Sequence, residues 1–147
     1  MTDVETLQEC RMATMEERAL SKQIERLAMI GGPHGVGSQA IEPAGDRKTN
    51  NSRAANMQQL EGLIEQLSKK RDENIDIIQR AEMVIEKIIS RRDRVVIRYY
   101  YVEGQSDYEI AEEMEMSQQW VNQRRSVVMD TIAREKKISR DGQNILK

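Results

Sequence analysis

Apolar and polar positions repeat with helical periods along most of the chain. Over residues 3–29, Leu20, Ile24 and Leu27 make an i, i+4, i+7 stripe, which predicts a helix. Val4, Leu7, Met12 and Met15 follow that stripe less regularly. Gly31-Gly32-Pro33 ends the helix, because neither residue type sustains helical backbone. From about Ser52 to Ile89, spacings of three and four alternate without a break. They pass through Met57, Leu60, Ile64, Leu67, Arg71, Asn74, Ile78, Ala81, Ile85 and Ile88, which is the pattern of a coiled-coil seam. Such a helix spans roughly 55 Å at ~1.5 Å per residue. The polar Arg71 and Asn74 in its middle cost stability and fix register or partner number. Two compatible readings follow. The two helices fold back on each other as an antiparallel hairpin, and residual seam surface takes a second copy of the chain.

The last third changes rhythm. Ser90-Arg91-Arg92-Asp93 resembles a capping box, with Asp in place of the usual Glu or Gln, and predicts a new helix. That helix passes Val95, Val96, Tyr99 and Tyr100 to Val102 and stops at Glu103-Gly104. Ser106 to Ile132 then predicts a short helix, a tight turn at Glu115-Met116-Ser117 and a longer helix over 117–135 N-capped by Ser117. Ile110, Ala111 and Met114 share one face of the short helix, and Val121, Val128 and Ile132 one stripe of the long one. Gln118, Gln119, Asn122, Gln123, Arg124 and Arg125 line the rest of its first two turns. Two helices crossing at a small residue, Ala111, outline a helix-turn-helix. Amide and guanidinium groups at the front of the second helix suit base edges and phosphates. The expected fold is therefore all-α. A helical hairpin over 1–89 carries a flexible Gly/Pro connector at 31–51; a three-helix domain follows over 90–137, and a frayed tail over 138–147. Tyr99, Tyr100 and Tyr101 are read as core and core edge, with hydroxyls reaching solvent.

Composition fits this picture. Of 147 residues 38% are hydrophobic and 33% charged, with no Phe and one Trp, which is thin for a single globular core and suits solvated helix. No apolar run reaches membrane-spanning length and no signal-peptide layout opens the chain, so a soluble cytoplasmic protein is expected. The single cysteine, Cys10, leaves no intramolecular disulfide. The run GGPHGVG lacks the Gly-Lys-Ser/Thr ending of a phosphate loop and follows a helix rather than a strand. His34 has no second ligand at metal spacing. No cofactor, metal or small-molecule substrate is expected, and no nucleophile–base set or carboxylate pair suggests an enzyme.

Charge sharpens the picture further. A net charge of −2 counts against binding nucleic acid by bulk electrostatics. The charges nevertheless segregate. Lys87, Arg91, Arg92, Arg94 and Arg98 are opposed only by Asp93, and Glu109, Glu112, Glu113 and Glu115 cluster on the short helix. Arg124, Arg125, Arg134, Lys136 and Lys137 make the long helix basic again. Such a domain could set one face on DNA and another on protein; solvated faces with i, i+4 pairing account for the same charges.

The segment RRDRVVIRYYYVEGQSDYEIAEEMEMSQQWVNQRRSVVMDTI, residues 91–132, resembles region 4 of the sigma-70 family, which reads the −35 promoter element. The shared features are an Arg-Tyr before a Gly turn, Ser before Glu-Ile-Ala, an apolar-Ser turn, and Val four positions into the second helix. The whole layout resembles small phage-encoded sigma-like regulators of the RinA/ArpU late-transcription type. The resemblance implies a transcription regulator acting on double-stranded DNA together with RNA polymerase, in the bacterial host cytoplasm. Ser117, Gln118, Gln119, Trp120, Asn122 and Gln123 would then face DNA, with Arg124 and Arg125 on phosphates. Arg91, Arg92, Arg94 and Arg98 would meet DNA backbone or polymerase. The family usually opens this helix with Arg, Glu and Arg, where this chain has Gln118, Gln119 and Trp120, and a further Arg position falls on Asn122. Gln and Asn favour adenine edges where Arg favours guanine, so the −35 consensus does not carry over. Trp120 either wedges against sugar or a thymine methyl, or packs on the preceding helix. Three percent aromatics leave no segment for melting DNA, so the chain reads as an accessory factor rather than a complete sigma. Two other classes remain open: a DNA-packaging component like a terminase small subunit, which would form a ring, and a protein-only adaptor on polymerase.

Overall fold

The computed structural model describes the backbone of residues 1–31 and 46–146, and the side chains of 1–29 and 53–135. Most of the 31–51 connector, including His34, lies outside the described residues, as do the side chains of the 138–147 tail. The described residues are helical or in short turns, with no strand among them, so the fold is all-α as the periodicity predicts.

Helix α1 (Asp3–Gly31) opens with a capping box: the Glu5 amide donates to Thr2 Oγ1 and the Thr2 amide donates to Glu5 Oε2, both at 3.1 Å. Helix α2 (Asp46–Glu86) closes as the Lys87 and Ile88 amides donate to the Val84 and Ile85 carbonyls. Ser90 then caps α3 (Arg91–Ile97) by accepting from the Asp93 amide at 3.3 Å. The next five residues, Arg98–Val102, widen into a π-helical turn, in which the Glu103 amide reaches back five residues to the Arg98 carbonyl. Gly104 at φ 70° ends it, in a conformation that costs glycine no Cβ clash. Helix α4 (Asp107–Met114) starts with the Ser106–Glu109 capping box. Helix α5 (Gln118–Leu146) starts where the Trp120 amide donates to Ser117 Oγ at 3.0 Å, and its backbone continues well into the stretch expected to fray.

Between α4 and α5 the turn is closed at Glu115, whose φ of 56° and ψ of 43° are left-handed. The Met116 amide donates to Ala111 and the Glu115 amide to Glu112, the double closure of a helix C-terminus that glycine usually completes. A non-glycine side chain there costs roughly 1–2 kcal/mol, offset in part by the stiffer unfolded chain. Glu115→Gly is accordingly expected to stabilise the protein by about 0.5–1 kcal/mol, read as a higher urea midpoint at unchanged slope.

By its contacts the chain falls into two compact units, residues 1–15 with 74–147, and residues 16–73. This differs from the 89/90 boundary expected from the sequence, for a physical reason. One buried cluster joins Leu7 and Cys10 of α1, Ala81, Val84 and Ile85 of α2, Ile88 just after it, Ile97, Tyr101, and Val128 and Ile132 of α5. A second joins Val96, Ile110, Ala111 and Val121, with Tyr99, Met114 and Trp120 packed at its edge. The apolar stripe of α5 thus serves both clusters. In the other unit Leu20 and Leu67 are buried, and Lys70 pairs with Glu16 at 3.2 Å.

Burial along α2 corrects the predicted seam at Met57, Ile64 and Arg71, which are exposed. Leu60, Leu67, Asn74, Ile78, Ala81 and Ile85 turn inward as read, as does Ile88 just beyond the helix, but Leu63 and Lys70 are partly covered where 64 and 71 were expected, and Ile77 and Val84 share the cover with 78 and 85. Ile64 and Arg71 are exposed, whereas Ile78 and Ile85 gain cover from the broader cluster near the C-terminal end of α2.

Candidate nucleic-acid interface

The front of α5 is positioned by what lies behind it. Val121 is fully buried against Val96, Ile110 and Ala111, so its neighbours on the helix point outward. Ser117, Gln118, Gln119, Asn122 and Gln123 are all exposed. Ser117 spends its hydroxyl on the cap, and Asn122 Nδ2 donates to Asp107 Oδ2 at 3.2 Å. The side chains of Gln118, Gln119 and Gln123 form no hydrogen bond or ion pair among the described residues, leaving a row of amides open along the first two turns. Trp120 is half-buried at the edge of the second cluster, with the Arg92 guanidinium 5.9 Å from its ring centre. Of the two roles open to Trp120 in the sequence, the structure places it against α3 and α4.

The two arginines assigned to phosphates are engaged inside the domain. Arg124 donates through Nε and Nη2 to both carboxylate oxygens of the buried Asp93, at 3.0 and 2.6 Å. Arg125 does the same with Asp107, at 3.3 and 2.8 Å. Bidentate pairing of this kind fixes both the helix crossing and the guanidinium plane. Burial disfavours the charged form of Asp107. Hydrogen bonds from Arg125 and Asn122, with the nearby Arg125 and Arg11 charges, outweigh it and hold the carboxyl below the usual carboxylate range. Arg125 also lies over the Tyr100 ring at 3.9 Å, and Arg11 covers the same ring at 3.6 Å. Burial pushes the Tyr101 hydroxyl up, against the charge and hydrogen bond of Arg125.

The other basic candidates divide in the same way. Arg94 Nη1 donates to the Ile88 and Ile89 carbonyls at 2.6 and 3.0 Å, closing the turn before α3. Arg98 pairs with Glu82, at 2.8 Å to Oε2. Arg91 and Arg92 remain exposed, the only members of that group with solvent-facing charge and no ion pair among the described residues. Beside this face, Glu109, Glu112, Glu113 and Glu115 are all exposed on and after α4.

Sequence reasoning overlooked Arg11 and Thr14. Widening the turn at Arg98–Val102 leaves carbonyls without their usual helical donors. Arg11 Nη1 donates to Tyr100 and, at 3.1 Å, to Gln105, and Thr14 Oγ1 donates to Val102 at 2.9 Å. The first turns of α1 are therefore part of the framework that holds α4 and α5. Among the described residues no group of three or more His, Cys, Asp or Glu could hold a metal ion. No helix among them is long and apolar enough to cross a membrane. No family model, curated protein or solved structure matches the chain.

Proposed function

We propose that this chain is a DNA-binding transcription regulator in which α4 and α5 act as a helix-turn-helix and the front of α5 enters the major groove. The observation that carries the reading is the open amide row, Gln118, Gln119 and Gln123, held outward by the burial of Val121 behind it. Amides in this place can pair bidentately with adenine. The resemblance to sigma region 4 supports a role beside RNA polymerase. So does a groove of about 260 Å³ whose apolar wall is Val84, Ile88, Ile89, Val127, Val128 and Ile132, with Asp3, Lys87, Arg124 and Glu135 also lining it, and with Ile89 and Val127 exposed, which offers a polymerase subunit a mixed apolar and charged surface.

One observation favours a protein-only adaptor instead: the inward Arg124 and Arg125 and the acidic α4 leave few cations to meet phosphates. Binding to promoter fragments across a salt series separates the two. With Arg91 and Arg92 as the available contacts, log K should fall with log salt at a slope of about −2, where Arg124 and Arg125 in addition would give about −4. Gln118→Ala, Gln119→Ala and Gln123→Ala should each weaken a preferred site about 5- to 150-fold, a cost of roughly 1–3 kcal/mol, while leaving the slope unchanged. A footprint that survives all three substitutions sinks the base-reading role, and no salt-dependent shift at all favours the adaptor.

A further inference from the structure

The corrected seam on α2 leaves a second row of residues uncovered, on the same unbroken helix. Met57, Glu61, Ile64, Ser68, Arg71 and Ile75 are spaced four, three, four, three and four apart, and every one is exposed. The exposures of the three apolar members are 52% for Met57, 49% for Ile64 and 48% for Ile75. A stripe with this period, adjoining a seam already used within the chain, is the surface by which helices add to a coiled coil. Its charges decide which partner fits. Set antiparallel to itself about a two-fold axis level with Gln66, the row places Met57 opposite Ile75, Ile64 opposite Ser68, and Glu61 opposite Arg71. Each pairing occurs twice, as an isologous interface requires. A parallel pairing would set Arg71 against Arg71 and Glu61 against Glu61, both repulsive.

We propose that this row is a homodimer interface, with two copies of the chain joined antiparallel through α2 over about 27 Å. It stands independently of whether α5 reads DNA. The full chain in equilibrium sedimentation should approach twice its 17.0 kDa mass in the micromolar range. Arg71→Glu or Glu61→Arg alone should raise the dissociation constant at least tenfold, and the double reversal should restore it, because it recreates the opposite-charge pairs. Circular dichroism of each variant should remain that of the parent, since both side chains are exposed. Ile64→Cys together with Ser68→Cys should form a disulfide-linked dimer, whereas Ser68→Cys alone should not. A single-chain mass up to 100 µM overturns the proposal. So does a dimer indifferent to the charge reversals, or one that Ser68→Cys alone crosslinks.

Discussion

A fragment beginning at Ser90, where the sequence places the start of the C-terminal domain, should fail to fold cooperatively. It lacks Leu7 and Cys10 from α1, Ala81, Val84 and Ile85 from α2, and Ile88 just after it, all buried in one cluster with Val128 and Ile132. Burying an aliphatic side chain of this size stabilises by about 1.5–3 kcal/mol, so Leu7, Val84, Ile85 and Ile88 together account for roughly 6–12 kcal/mol. That equals most of the ~5–15 kcal/mol by which an ordinary domain is stable. The fragment also strips Arg11 and Thr14 from the carbonyls of the π-helical turn. Circular dichroism should show reduced helix and a broad thermal transition. The full chain carrying Leu7→Ala should lose about 2–5 kcal/mol yet keep a cooperative one. A sharp, two-state melt of the 90–147 fragment would show that the domain is autonomous after all.

Arg125→Ala should cost about 2–4 kcal/mol in urea denaturation. Its side chain is 18% exposed and that of Asp107 23%, so removing the guanidinium leaves a largely desolvated carboxylate without its main partner. The contact with Tyr100 is lost with it. Arg124→Ala should cost a similar amount: its guanidinium is more open to water, but Asp93 is more buried than Asp107 and loses its only side-chain partner among the described residues. The pair also sets an acid limit. The folded-state pKa of Asp107 lies below its unfolded value, so its contribution is complete above about pH 4 and disappears as pH falls through the folded value. Asp107→Asn should flatten that part of the stability profile. Should Arg125→Ala leave stability intact and abolish only DNA binding, its assignment as a domain tie is overturned and phosphate contact restored.

The helices, their caps at Ser90 and Ser117, and the buried stripe of α5 were legible because each is encoded within a few residues of itself. The seam of α2 was legible except at Met57, Ile64 and Arg71. Leu63-Ile64, Ile77-Ile78 and Val84-Ile85 are adjacent apolar pairs, so two heptad phases fit equally well until another helix chooses between them. The roles of Arg124 and Arg125 were hidden for a different reason. Their partners Asp93 and Asp107 lie 31 and 18 residues away, and a local pattern shows only two cations at the front of a helix. Arg11 and Thr14 did leave a trace. Val4, Leu7, Cys10, Arg11 and Thr14 share one helical face, which looks irregular only while apolar residues alone are counted and the exposed Met12 and Met15 are included.

The bond from Arg11 to Tyr100 closes a loop of 89 residues. During synthesis at about 5–20 residues per second, roughly 4 to 18 s pass after Arg11 is made before its acceptor exists. For most of that interval Leu7 has no α2 to cover it, and α5 is made only afterwards. The first turns of α1 therefore begin life as an amphipathic strip that a holdase chaperone could occupy, and final docking competes with that occupant. Slowing translation between the two ends should lengthen the exposure in proportion, so the yield of folded protein becomes a matter of timing as well as of stability.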